Sequence, residues 1–133
     1  MHPLYAEASR LTQTIIGAAI EVHKDKGPGL VESIYEWCFT KELELHGLHS
    51  INQKVVKIHY KGFVRDEPLR FDLLVNECVL LEIKSVESIL PVHKAQLLSY
   101  MKLLDVPLGL LINFNVNKLT DGVSRLILPG ADK

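Results

Sequence analysis

The chain has 133 residues, 47% of them hydrophobic and 23% charged, which are the proportions of a globular protein. No apolar run reaches the ~18 residues that a membrane-spanning helix needs, which argues against a membrane protein. The formal net charge is −1, so any binding of phosphate groups has to be local. We expect a single domain over residues 1–133 with one hydrophobic core.

The first third of the chain predicts two helices. Apolar residues recur at spacings of three and four along the first: Leu4, Ala8, Leu11, Ile15, Ala19 and Val22. Gly27-Pro28-Gly29 ends this helix. A second helix is predicted over residues 30–46, with Glu32, Tyr35 and Phe39 on one face. Four further side chains of this helix are expected to be buried: Ile34, Trp37, Cys38 and Leu45.

Beyond Gly47 the periodicity changes from 3.6 to 2, which is typical of strands. Val56, Ile58 and Tyr60 predict a half-buried strand, and residues 69–75 and 79–84 predict two more. A helix follows over residues 91–104, with two faces: Leu97, Met101 and Leu104 inward, and His93, Gln96 and Tyr100 together on another side. Residues 108–114 and 123–128 complete the pattern as strands. This order predicts an α/β fold with a mixed sheet flanked by helices.

The pairing of residues 69–75 with 79–84 can be tested against side-chain alternation. A three-residue loop gives one wholly apolar face made by three cross-strand pairs: Val75 with Val79, Leu73 with Leu81 and Phe71 with Ile83. Asp72 then lies opposite Glu82, with Lys84 on the same face. A two-residue loop would place Phe71 opposite Glu82, mixing an apolar face with a charged one.

Two carboxylates on adjacent strands are close enough to share one divalent cation, since cross-strand Cβ atoms lie about 4.5 to 5.5 Å apart. Without a cation they repel, so one of them should have a raised pKa, and metal uptake should release protons. An alternative is a salt-bridged hairpin in which Lys84 offsets part of the repulsion and no metal binds.

The combination of these residues is more informative than any of them alone. Asp72, followed about ten residues later by Glu82-Ile83-Lys84 and then by a helix bearing Gln96 and Tyr100, resembles the PD-(D/E)XK metal-dependent nuclease superfamily. Within it, Gly29-Leu30-Val31-Glu32-Ser33-Ile34-Tyr35 is similar to the defining motif of the GxxExxY family. Residues 93–100 and 109–114 are similar to later blocks of that family.

The resemblance implies a restriction-endonuclease-like core, with a mixed central sheet of three antiparallel strands plus the C-terminal strands. It also implies phosphodiester hydrolysis with Mg²⁺ or Mn²⁺ as cofactor. The implied metal ligands are the carboxylates of Glu32, Asp72 and Glu82 and the main-chain carbonyl of Ile83. Lys84 would orient the attacking water or stabilise the developing negative charge.

The resemblance assigns the substrate to the helix over residues 91–104. Gln96 and Tyr100 would hold the nucleic-acid backbone or Lys84, and His93 would contact phosphate. Phe71 stands where the superfamily name has proline, which leaves the neighbouring carboxylate intact. Residues 65–68 differ from a glycine-containing turn of relatives, so we expect the approach to the site to be reshaped.

Other residues have simpler interpretations. Cys38, His46 and His49 do not have the spacing of a standard zinc module, and Cys38 and Cys78 are expected to be free thiols. Trp37 is expected in the core. Five basic residues form either a track flanking the site or a set of solvated side chains: Lys54, Lys57, Lys61, Arg65 and Arg70.

We therefore predict a Mg²⁺-dependent nuclease acting on DNA rather than RNA, in repair or in end processing. The first residues lack the pattern of a signal peptide, which favours a cytoplasmic protein with no membrane partner. Double-strand cuts by a chain of 15.0 kDa would need two active sites, which favours a homodimer. The alternatives are a nucleic-acid or protein interaction module that keeps the fold without cleaving, and a purely structural homodimer.

Overall fold

The computed structural model describes all residues, 1–133, and contains three α-helices and five strands. Their bounds are α1 Tyr5–Lys26, α2 Glu32–Leu45, β1 Ser50–Tyr60, β2 Phe63–Val75, β3 Val79–Lys84, α3 Pro91–Leu104, β4 Leu108–Asn113 and β5 Val123–Ile127, with a short 3-10 helix at Leu119–Gly122. The predicted order of helices and strands is confirmed. No helix combines the length and apolar character that crossing a membrane requires.

The five strands form one mixed sheet in the order β1-β2-β3-β4-β5. All neighbours are antiparallel except β3 and β4, which run parallel and are joined through α3. A parallel pair requires a crossover connection, and α3 supplies it by packing on one face of the sheet. The predicted mixed α/β fold, with its sheet flanked by helices, is therefore confirmed.

The sheet divides the apolar interior into two clusters, where we expected one core. Side chains of β3 alternate between them: Val79, Leu81 and Ile83 pack with α1 and α2, whereas Leu80 packs with Leu97 of α3. The strands β3 and β4 are accordingly apolar on both faces, as strands covered on both sides are. Glu82 and Lys84 break this pattern at the carboxyl end of β3.

The buried face of α2 differs from the prediction. Tyr35, Phe39 and Leu43 are buried, and the Tyr35 ring stacks on Phe114 with centroids 4.5 Å apart. The expected burial of Ile34, Trp37 and Leu45 is wrong: they are 41%, 64% and 80% exposed. The helix carries two apolar stripes, and only the stripe that follows Glu32 faces the sheet.

The hairpin of β1 and β2 is longer than the sequence predicts. Its turn is Lys61-Gly62, both with positive φ, and residues 65–68 lie within β2 rather than in a turn. Pro68 pairs with Val55 in this stretch, where β2 has no β3 partner. Proline is tolerated on such an unpaired edge because it has no N–H to leave unsatisfied. We call residues 53–70 the arm; Tyr60, expected to be half-buried, lies exposed at its tip.

Candidate functional site

Asp72 lies where β2 and β3 stop pairing. The last cross-strand partners are Leu73 and Leu81, which together with Val75 and Val79 confirm the predicted three-residue loop. Beyond them the Asp72 side chain replaces the backbone ladder, since its Oδ2 accepts the main-chain N–H of Ile83 at 2.6 Å. This bond fixes the carboxylate beside the end of β3 and leaves Oδ1 for another partner.

The predicted pairing of Phe71 with Ile83 is wrong. Phe71 packs against the cluster on the α3 side, whereas Ile83 belongs to the cluster under α1 and α2. The cause is an irregularity of the β1–β2 pairing, whose register shifts between Ile51 and Gln53. A bulge of this kind turns the following side chains to the other face of a strand.

Asp72 and Glu82 line the same cleft, between the sheet and α3. The cleft has a volume of about 120 Å³, and Gln96 and Tyr100 of α3 complete its polar wall. All nine lining residues are Arg70, Phe71, Asp72, Leu80, Leu81, Glu82, Gln96, Leu97 and Tyr100. Four of the predicted site residues therefore meet in one cleft.

Lys84 lies two residues beyond Glu82 and pairs with it. Its Nζ is 3.5 Å from Glu82 Oε1, and both side chains are only 18% exposed. Burial raises the pKa of Glu82, and the charge of Asp72 raises it further; Lys84 and His93 act in the opposite direction. The ammonium of Lys84 is thus the main group that opposes the rise in the pKa of Glu82.

The pKa of Asp72 is also raised, first by burial and then by the charge of Glu32. The N–H of Ile83 and the ammonium of Lys84 lower it in part. Two partly buried carboxyls with raised pKa values in one cleft are typical of functional sites, because a folded chain gains no stability from such repulsion.

Glu32 begins α2 and connects that helix to the end of β3. Its Oε2 accepts the N–H of Ser85 at 3.3 Å, and the Ser85 hydroxyl donates to the Leu30 carbonyl. The first turn of α2 is therefore held against the residue that follows Lys84. This places the Glu32 charge near enough to Asp72 to raise its pKa.

Glu36 is a fourth carboxylate of this region, and the sequence interpretation missed it. It lies one helical turn after Glu32, and its pKa is raised by burial and then by the charges of Asp72 and Glu32. The signal was available, since residues four apart share a helix face. The carboxylates near the end of β3 therefore come from both strands and from α2.

His93 lies in the first turn of α3, where its Nδ1 accepts the N–H of Leu90 at 3.0 Å. The ring satisfies a donor that the helix leaves unpaired, so part of its role is structural. Its other nitrogen, Nε2, makes no hydrogen bond. A positive charge on His93 would act to lower the pKa of Glu82.

Asn113, which the sequence interpretation also missed, holds the loop after Lys84. It is 3% exposed; its Oδ1 accepts the Val86 N–H at 3.1 Å, and its Nδ2 donates to the Val86 carbonyl at 2.9 Å. The neighbouring Phe114 donates its N–H to the Lys84 carbonyl at 2.9 Å. A polar residue closing an apolar strand is the only hint that the sequence offers.

The donor atoms of the cleft suit a hard divalent cation. No three of the His, Cys, Asp and Glu side chains converge closely enough, as placed, to hold a metal ion. Mg²⁺ does not require such a cage, because it binds through one or two carboxylates and keeps several waters or phosphate oxygens. Asp72 and Glu82 meet that requirement, and their raised pKa values are what a cation would offset.

A protein-family profile described as the PD-(D/E)XK nuclease superfamily matches residues 9–126. The chain belongs to the PD-(D/E)XK nuclease superfamily. The matched stretch includes Asp72, Glu82 and Lys84, and membership supports a nuclease-like function. The restriction-endonuclease-like fold expected from the sequence agrees with this membership.

One solved structure, entitled "Crystal structure of SSO0001", is similar to the chain at 17% sequence identity and a TM-score of 0.42. The match covers 88% of this chain and 76% of that chain. A search of curated proteins finds no match.

Proposed function

We propose that this member of the superfamily is a metal-dependent nuclease that hydrolyses phosphodiester bonds in DNA. The observation that carries the proposal is that Asp72 and Glu82 line one cleft, with Asp72 fixed by the Ile83 N–H and Lys84 paired with Glu82. Within the superfamily, the motif at residues 29–35 supports membership of the GxxExxY family.

The proposed cofactor is Mg²⁺ or Mn²⁺, held by Asp72, Glu82 and the carbonyl of Ile83, with Glu32 as a further ligand. When bound, such a cation polarises a phosphate oxygen and lowers the pKa of its water. The two strand carboxylates supply the negative charge that selects a dication. Burial and the charges of neighbouring carboxylates raise their pKa values, and a bound cation would act to lower both.

Lys84 is proposed to stabilise the negative charge that develops on phosphate. The ammonium lies 3.5 Å from the Glu82 carboxylate, which lines the cleft, and partial burial strengthens its field. Lysine suits this role because its ammonium is a compact point charge with three donors.

Gln96, Tyr100 and His93 are proposed to bind substrate. Gln96 and Tyr100 lie one turn apart on α3 and face the carboxylates across the cleft, so their amide and hydroxyl groups can donate to phosphate oxygens. His93 would present Nε2 to the same backbone. We further propose DNA rather than RNA as substrate, a role in repair or end processing in the cytoplasm, and a homodimeric state.

A second candidate function is an interaction module that retains the fold without cleaving. The observation that favours it is that no three potential ligands are assembled around a metal position. On this alternative the cleft would bind a partner or a nucleic acid, and Asp72 would serve mainly to close the end of β3.

The decisive experiment is cleavage of single-stranded DNA, duplex DNA and RNA with Mg²⁺ or Mn²⁺, compared with Glu82→Ala and Lys84→Ala proteins. Glu87→Ala is the matched control, since Glu87 is an exposed acid close to the same strand. We expect cleavage by the wild type and the control, none by Glu82→Ala, and strongly reduced cleavage by Lys84→Ala. Metal binding without cleavage of any substrate would favour the interaction module.

A further inference from the structure

We propose that the arm, residues 53–70, is a binding element for single-stranded nucleic acid, with Tyr60 and Phe63 at its tip stacking on unpaired bases. The inference deepens the proposed function, on which it rests, because it names the form of substrate that would be led into the cleft. Membership of the superfamily does not by itself give this hairpin a function.

The arm extends from the sheet and begins at the cleft. β3 pairs with β2 only from Leu73 to Val75, whereas the β1–β2 ladder continues from Gln53–Arg70 to Tyr60–Phe63. Strand residues advance about 3.3 Å each, so the tip lies at most about 30 Å from Asp72. One nucleic-acid strand is long enough to contact both.

The arm has a net positive charge, although the net charge of the whole chain is negative. It carries Lys54, Lys57, Lys61, Arg65 and Arg70 against Asp66 and Glu67, a net of +3 in a chain of net −1. Three of the five cations are paired with carboxylates, at Lys54–Glu77, Lys57–Asp66 and Arg65–Glu67. The two basic residues without a carboxylate partner are Lys61 at the tip and Arg70 at the cleft. Each end of the arm therefore has one unpaired positive charge.

Two aromatic rings lie directly opposite each other at the tip. Tyr60 is 65% and Phe63 76% exposed, and the Lys61 ammonium lies 5.4 Å from the centre of the Tyr60 ring. Apart from the Lys61 side chain over Tyr60, both rings are largely open to solvent. Exposed aromatics beside free cations are the combination that binds single strands, because bases stack on the rings while the cations attract phosphate.

The rings lie on the cleft side of the arm. Residues two apart on a strand share a face, so Tyr60 lies on the same face as Ile58 and Val56. Val56 packs in the cluster that contains Leu97 of α3, the helix that presents Gln96 and Tyr100 to the cleft. A strand stacked on the tip would therefore continue towards Asp72 without crossing to the other face of the sheet.

The chemistry favours an unpaired strand over a duplex or an acidic protein. Stacking on a ring requires a free base face, which an intact duplex hides. An acidic protein would be attracted by the cations but would have no comparable use for the two rings. Removing the rings should therefore weaken binding only of a strand with unpaired bases, and not of a duplex or an acidic protein.

The test measures binding by fluorescence anisotropy with a labelled single-stranded DNA of about 20 nucleotides, in EDTA so that nothing is cleaved. Tyr60→Ala and Phe63→Ala should each weaken binding about 5- to 150-fold, the range for loss of one stacked base. Lys61→Ala should reduce the slope of log K against log salt by about 0.7. The rings are exposed, so their removal does not disturb the core.

Two controls match the ring variants. Val64→Ala removes an apolar side chain from the opposite face of the same hairpin, and Trp37→Ala removes an aromatic of similar exposure from α2; both should bind as the wild type. With an abasic strand, or a blunt duplex, the ring variants should lose nothing relative to the wild type.

Ring variants that bind single-stranded DNA as the wild type does would overturn the proposal, as would arm-dependent binding of polyglutamate that DNA does not displace. The proposed function fails separately. If the wild type cleaves DNA while the ring variants bind normally, only the arm inference is lost. If the ring variants lose binding while the wild type cleaves nothing, the arm inference stands and the nuclease proposal is lost.

Discussion

Asp72 accepts the main-chain N–H of Ile83 at 2.6 Å, at the point where β2 and β3 separate. The aspartate therefore has two tasks that can be distinguished: its oxygen satisfies a part-buried backbone donor, and its charge contributes to the acidic cleft. Substitutions that remove one property and keep the other measure them separately.

Asp72→Ala removes the acceptor and leaves the Ile83 N–H without a partner. We expect a loss of about 1 to 3 kcal/mol in the free energy of unfolding, the usual cost of an unsatisfied buried donor. Asp72→Asn keeps an oxygen that can accept this bond and should be closer to the wild type in stability. Both variants should lack Mn²⁺ binding in a calorimetric titration. Equal stability of the alanine and asparagine variants in urea would contradict the structural task.

Glu82→Gln tests the electrostatic cost of the cleft. The pKa of Glu82 is raised above its ordinary value of 4.5 in the folded chain, mainly by burial. The folded state therefore binds more protons, and the stability tied to this group is full below about pH 4.5 and is lost as the pH rises through the raised pKa. We expect the glutamine variant to lose less stability than the wild type over that interval. Urea unfolding at a series of pH values measures this, with Glu87→Gln as the exposed control; parallel curves for the wild type and Glu82→Gln would refute it.

Lys84→Met should affect both the charge of the cleft and the reaction. Without the ammonium 3.5 Å away, the pKa of Glu82 should rise further, which an NMR titration of its carboxyl carbon can follow. Cleavage should fall by about 10²- to 10³-fold, the usual loss when one charge-stabilising donor is removed. Lys118→Met, on an exposed lysine far along the chain, is the control. An unchanged carboxyl titration would show that the ion pair does not form in solution.

Asn113→Ala should release the loop that follows Lys84. The variant loses both hydrogen bonds to Val86 and the bond from the Asn115 N–H, so we expect a loss of stability of about 1 to 3 kcal/mol. The amide of Val86 should exchange with solvent much faster than in the wild type. Asn115→Ala, which removes one longer bond of 3.3 Å to the same carbonyl, is the milder comparison. Unchanged exchange at Val86 would mean that other contacts hold the loop.

Gly109→Ala tests how closely α3 approaches β4. An added Cβ at this position would lie 2.6 Å from Met101 Sδ and 3.2 Å from the Leu97 side chain. We expect destabilisation of about 1 to 3 kcal/mol, the usual cost of overpacking. The double variant Gly109→Ala with Met101→Ala should lose less stability in thermal unfolding than the sum of the two single variants. The reason is that the Met101 thioether is the atom nearest to the added Cβ. Purely additive losses would place the strain elsewhere.

Hydrophobic periodicity in the sequence predicted most of the helices and strands, because each of them repeats apolar residues with a clear period. The helix over Pro91–Leu104 has the predicted limits, and the pairs Leu73–Leu81 and Val75–Val79 follow from alternation alone. The same alternation fails at Phe71, because a register shift in a different pair of strands reverses its direction. Periodicity within one hairpin contains no information about that shift.

The remaining errors have a common cause: the sequence shows that a side chain is apolar but not whether another element packs over it. Trp37 was expected in the core and Tyr60 half-buried, yet both are exposed. For the site, spacing and family resemblance led to Asp72, Glu82, Gln96 and Tyr100, which the structure brings into one cleft; their catalytic roles stay predictions. Asn113 was missed because its partner Val86 lies on another segment, 27 residues away, whereas Glu36 was missed although it shares a helix face with Glu32.

All nine residues that line the cleft lie between Arg70 and Tyr100, on one continuous stretch of chain. The loops within this stretch are short, so the entropy lost on closing them is modest. The cleft therefore has low contact order, and its strands and helix are suited to assemble as one cooperative unit. Hydrogen exchange would then report opening of the cleft as a single subglobal event, with amides of β3 and α3 losing protection together.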